Sequence, residues 1–191
     1  ALTEWHHLGL LTSMDQVWIH ISLDALLFEN VAKCRALRKM IGQWCHEVNL
    51  EGQPWIHGES TLRMFTLIDP HVNLLRSTIA AVAGIWGGVD GLSIHPYDVL
   101  QGSTEHSRRI ATNIHRVLSE ESGLGQWMDP LEGSYAVEHW TEDLCEIAWA
   151  QFAQDESTGG LQVAIDSGIW AERLSAAQAL RTSALQQGQV V

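Results

Sequence analysis

Apolar and polar residues alternate from 17 to 22 (VWIHIS), a β-branched run that predicts a strand. Asp24 then opens a helical pattern reaching about residue 48, with Leu27, Val31, Cys34 and Leu37 as its apolar face and Lys33, Arg35, Arg38 and Lys39 on a solvated one. Residues 54–57 (PWIH) form a second short strand, and 58–68 a loop with one helical turn. Asp69 and Pro70 are an N-cap and a first helical position. The helix they open has Val72, Leu75, Ile79 and Val82 as its buried stripe, and Gly87-Gly88 end it before a buried strand at 92–95. Beyond a polar loop at 101–104, Ile110, Ile114, Val117 and Leu118 stripe a helix over 105–122. Residues 123–134 are loop and 134–138 a brief strand. Thr141 caps a helix to about 154, and two short helices follow at about 161–167 and 170–186. At the other end, 1–15 reads as a helix end and a short helix capped by Thr12-Ser13.

This order predicts an α/β protein with a parallel sheet. About four strands are too few for a closed parallel barrel, which needs eight strands and about 250 residues. The chain is therefore expected to be a fragment of a larger barrel or a small doubly wound sheet. Its apolar ending, Gln189-Val190-Val191, reads as cut short.

Composition narrows the function more than the fold. The chain is 46% hydrophobic and 18% charged, with 11 basic against 23 acidic residues and a net charge of −12. No basic cluster stands out, which argues against general binding to nucleic acid or anionic membrane. No apolar run approaches the roughly 20 residues of a membrane span. Cys34, Cys45 and Cys145 form no CxxC pair and read as reduced core residues of a cytosolic or matrix protein. Nine tryptophans read as packing residues under helices, and ten histidines show no ligand spacing for a metal. G-x-S-x-G, P-loop and G-x-G-x-x-G motifs are absent. Two places suggest chemistry. His95-Pro96-Tyr97-Asp98 follows a strand, where barrel folds keep their sites, making His95 and Tyr97 candidates for ligand contact. Glu120 and Glu121 end a helix against its dipole, a local cost that often marks function.

Several stretches together resemble the acyl-CoA mutase barrel of the methylmalonyl-CoA mutase family. They are FENVAKCRALRKM (28–40), DPHVNLLRSTIAAVAGIWGG (69–88), Tyr97-Asp98, RRIATN (108–113), SEESGLG (119–125), DPLEGSYAVE (129–138) and RTSALQQGQVV (181–191). The resemblance implies that residues 1–191 are the later half of a (β/α)8 barrel, with adenosylcobalamin at the barrel mouth and acyl-CoA along its axis. The cobalamin-binding domain would lie outside this stretch, which has no axial-histidine motif. Catalytic members carry Arg-x-Ser where this chain has Gln16 and Trp18, and Arg-x-His where it has Trp55 and His57. Their Leu-His-Thr-Asn strand aligns its histidine with Ser93, followed here by Ile94, His95 and Pro96. Glu121 matches the glutamate that approaches the adenosyl ribose, and Asn113 keeps its place; DPHVNLLR resembles the non-catalytic small subunit, where DPxVNLLR is typical.

The resemblance thus implies a catalytically silent small subunit, with no catalytic residue of its own, that forms a heterodimer with a cobalamin-dependent catalytic subunit interconverting methylmalonyl-CoA and succinyl-CoA. His57, His95 and Tyr97 are the substrate-contact candidates and Glu121 the cofactor-contact candidate. Bacterial cytoplasm or mitochondrial matrix is the implied compartment. The alternatives are a catalytic acyl-CoA mutase with altered acyl preference and, in another class, a stand-alone small α/β binding protein.

Overall fold

The computed structural model describes residues 2–188; the ending at 189–191 lies outside them. The chain divides into two compact units, Thr12–Glu146 and a second made of Ala1–Leu11 with Ile147–Val191. The second unit contains α1 (Leu2–His7), and its later helices, α6 (Gly160–Asp166) and α7 (Ile169–Gln186), match the two short helices expected there. An Arg173–Asp155 ion pair of 2.9 Å, its arginine on α7, lies within the later part of this unit.

The unit Thr12–Glu146 is built on β1 (Trp18–Leu23), α2 (Leu27–Val48), β2 (Trp55–Ser60), α3 (Val72–Trp86) and β3 (Gly91–Ser93). The strands are parallel and adjacent in the order β1-β2-β3, as the sequence pattern predicts. Then come α4 (Glu105–Arg116) and α5 (Tyr135–Ser157), which runs on into the second unit. Strand alternation puts Ile19, Ile21, Leu23, Ile56, Gly58 and Ser60 on one face. The helices meet that face through Cys34 of α2 and Ala80 of α3, which form a core cluster with Leu23 and Met64. Trp18, His20, Ser22, Trp55, His57 and Glu59 occupy the opposite face.

Leu23 explains why β2 runs to Ser60, through Gly58 where a loop was expected. A Cβ on Gly58 would lie 2.7 Å from the Leu23 Cδ1 methyl, and one on Gly84 of α3 would lie 2.9 Å from the same methyl. Strand and helix close on one leucine because neither carries a side chain there. β3 is correspondingly shorter than expected, and His95 lies beyond it.

The stripe expected on α3 is not its buried face. Leu75 is 66% and Ile79 39% exposed, whereas Asn73, Ser77, Ala80, Ala81, Ala83 and Gly84 are buried. A helix wedged between a sheet and α2 approaches closely only through small side chains, so helical periodicity was right and its phase was not. The basic side of α2 is also corrected. Arg35 pairs with Asp129 (3.2 Å) and Glu138 (2.6 Å), Arg38 with Asp90 (2.7 Å), and Lys33 donates to the Ser22 carbonyl and to Asn30 Oδ1. Of the four, Lys39 alone is exposed. Asp24 does not itself begin α2; its Oδ1 accepts from the Leu26 amide, one turn ahead of the helix.

Residues 134–138 are not a strand but the entry to α5. The Glu138 carboxylate accepts from the Gly133 amide (3.0 Å) and from Arg35, a favourable charge at a helix N-terminus. Thr141 therefore sits inside the helix, where its hydroxyl donates to the Val137 carbonyl at 2.7 Å. The Arg35 hydrogen bond, then the Gly133 amide, hold the Glu138 carboxyl below the usual glutamate range. A carboxylate whose pKa is depressed on folding adds stability above its unfolded pKa and loses it as pH falls through the folded value. Glu138→Gln is thus expected to flatten the acid limb of a stability-against-pH curve; an unchanged limb in urea titrations at stepped pH would remove this attribution.

Two glycines give a second check on packing. Gly87, at the end of α3, has ordinary right-handed dihedrals (φ −76°), but a Cβ there would lie 2.8 Å from both the Ala83 carbonyl oxygen and Cys34 Cβ. Gly87→Ala should cost about 1–3 kcal/mol by overpacking. Gly42, inside α2 with nothing within 4 Å of its added Cβ, should gain about 0.5–1 kcal/mol on conversion to Ala. Urea denaturation of both variants reads the contrast, and equal signs would contradict the packing described.

Candidate functional site

The open face of the sheet and the loops beyond its C-terminal ends carry the candidate residues. Parallel register pairs Trp18 with Trp55 and His20 with His57. The indoles stack at 5.8 Å and 24°, and the imidazoles lie 4.8 Å apart. Trp18 is 69% and Trp55 43% exposed, so these two tryptophans do not pack under helices. Gly91 leaves room for this layer: a Cβ there would meet His57 Nδ1 at 2.7 Å and Trp55 Nε1 at 3.2 Å.

Further along the strands, His57 Nε2 hydrogen-bonds with Ser93 Oγ at 2.9 Å. The His95 amide donates to Ser60 Oγ (2.8 Å), tying the segment after β3 to the end of β2, and His95 Nε2 lies 3.4 Å from Glu59 Oε1. Tyr97 stacks on His71 at 5.1 Å. Beneath it, the fully buried Asn73 clasps two loops: its Oδ1 accepts from the Thr66 amide (2.8 Å), and its Nδ2 donates to the carbonyls of Thr66 and Tyr97 (2.9 Å each). Asp98 is buried beside it and accepts from the amide and hydroxyl of Thr104. Burial pushes its carboxyl up, but the bonds from Ser107 and Thr104 outweigh this and hold it below the usual range.

His57 and His95 are thus joined through the ends of β2 and β3, and Tyr97 follows on the clasped loop. Glu121 stands apart from them. It ends a wide helical turn (Val117–Glu121) closed by the Ser122 amide on the Val117 carbonyl, and it is exposed. Among the described residues its carboxylate has no ion-pair partner, and none of the hydrogen bonds above reaches it. Asn113, on α4, is exposed as well. Glu59, Ser60, Ser93 and Asn73 complete the arrangement. Glu59 and Ser60 were hidden in an expected loop, and Asn73 lay between the apolar positions of α3. The cluster supplies imidazole, hydroxyl and carboxylate groups able to hydrogen-bond a polar ligand. Among the described residues no three His, Cys, Asp or Glu side chains gather to hold a metal. Cys34, Cys45 and Cys145 are free thiols, and burial pushes that of Cys34 up to about 11. Among the described residues no helix is long and apolar enough to cross a membrane.

A parallel sheet with crossover helices on one face and polar groups gathered past its strand ends belongs to the (β/α) class of proteins. Within that class, the family profile of methylmalonyl-CoA mutase matches residues 14–191, and the chain belongs to this family. It is 37% identical over 171 residues to a probable methylmalonyl-CoA mutase small subunit of Mycobacterium tuberculosis, covering 83% of this chain and 27% of that protein. It is 33% identical over 184 residues to the methylmalonyl-CoA mutase small subunit of Streptomyces virginiae (93% and 29%). Methylmalonyl-CoA mutase of Escherichia coli is 34% identical over 173 residues (86% and 24%). The chain therefore spans between a quarter and a third of the length of the small subunits it matches.

Proposed function

We propose that this chain is part of the barrel of a methylmalonyl-CoA mutase small subunit, catalytically silent, which pairs with a cobalamin-dependent catalytic subunit interconverting methylmalonyl-CoA and succinyl-CoA. On this reading β1, β2 and β3 are consecutive strands of the later half of a (β/α)8 barrel, and their open face is the barrel lining. The Trp18–Trp55 stack carries the proposal. The axis of an eight-stranded barrel is narrow, and a stacked indole pair on its lining would fill the space that an acyl-CoA would otherwise thread. Gln16, Trp18 and Trp55 also stand where catalytic relatives are expected to place polar or cationic groups. Each lost charge-assisted contact is worth about 1.5–3 kcal/mol, so losing two weakens binding about a hundredfold or more.

Adenosylcobalamin belongs, in this reading, to the catalytic subunit. When bound, it supplies the radical for carbon-skeleton rearrangement. Glu121 and Asn113 are exposed side chains, and by themselves they would not hold it. Glu121 is retained as the proposed cofactor-facing residue and His57, His95 and Tyr97 as proposed ligand contacts. The free cysteines favour a reducing compartment, bacterial cytoplasm or mitochondrial matrix.

The full-length parent protein is expected to show no turnover of methylmalonyl-CoA with adenosylcobalamin alone, and to co-elute with the catalytic subunit. Turnover by the isolated parent would favour a catalytic mutase of altered acyl preference; neither turnover nor a complex would favour a stand-alone binding protein. Cobalamin titration of the parent and of Glu121→Gln tests that residue separately, and equal affinity would end its assignment.

A further inference from the structure

We draw no further inference here: the strongest candidate, the apolar face of α5 exposed at Trp140 and Leu144, is an unpartnered helix face, and nothing in the structure shows what covers it.

Discussion

Leu23→Ala is expected to destabilise the unit Thr12–Glu146 by about 2–5 kcal/mol, the range for emptying a fully buried leucine site. Leu23 is 0% exposed, and its Cδ1 fills the space left by the absent side chains of Gly58 and Gly84. The same geometry predicts strong non-additivity. Gly84→Ala alone places a methyl 2.9 Å from both Leu23 Cδ1 and Leu92 Cδ1, so it should destabilise by overpacking. Combined with Leu23→Ala, the new methyl enters the vacated space, and the double variant should be more stable than the sum of the single effects requires. Denaturant unfolding of the four proteins in the cycle measures this. Additive effects within about 0.5 kcal/mol would show that Leu23 and Gly84 do not share one packing site.

Asn73→Leu should be comparably damaging for a different reason. The substitution nearly preserves size but removes both partners of the Thr66 backbone groups and the donor to the Tyr97 carbonyl. A buried polar group left without its bond costs about 1–3 kcal/mol, and three are affected, some of which can recover water; a net loss of about 3–5 kcal/mol is expected. A purely energetic loss would leave all amides equally affected. The clasp predicts more: hydrogen exchange should rise first in 61–71 and 96–104, the two loops that Asn73 joins, and Tyr97 should lose its fixed position. Asn73→Asp separates bonding from size, because it keeps an acceptor for Thr66 and loses both donations. If Asn73→Leu costs under about 1 kcal/mol, or protection falls uniformly, the clasp does not organise these loops.

The loops matter for function because they present His95 and Tyr97. In the proposed subunit their order would persist even without catalysis. Trp18 and Trp55 would take over as barrel filling where catalytic relatives are expected to keep a channel. The helix-facing side and the open side of the sheet are set by alternate residues, so the open face can change without disturbing the core.

How far this was legible in the chain varies with the distance over which each feature is decided. The three paired strands and their parallel order come from local signals such as the alternation in VWIHIS and the Gly87-Gly88 stop, although β2 and β3 end elsewhere than expected and Asp69-Pro70 lie just ahead of α3, whose N-cap is His71. The order of motifs was likewise enough to identify the family before any coordinate. Local signals failed wherever a neighbour distant in sequence decided the outcome. The buried side of α3 is its small side because α2 and the sheet approach from two directions, which periodicity cannot reveal. Arg35 and Arg38 are drawn from the open solvent into ion pairs because Asp129, Glu138 and Asp90 arrive opposite them from far along the chain. The candidate site follows the same division. His57, His95 and Tyr97 were visible as chemistry at strand ends, whereas their partners Ser93, Glu59 and Asn73 were not, since hydrogen bonds between strand ends and loops exist only after the strands pair. By itself the sequence determined most of the elements, the order of the three paired strands and the family. Tertiary structure decided which face of each helix is buried, which charges are paired and that two tryptophans meet on the open face of the sheet, because each of these depends on contacts between residues that only folding brings within a few ångströms.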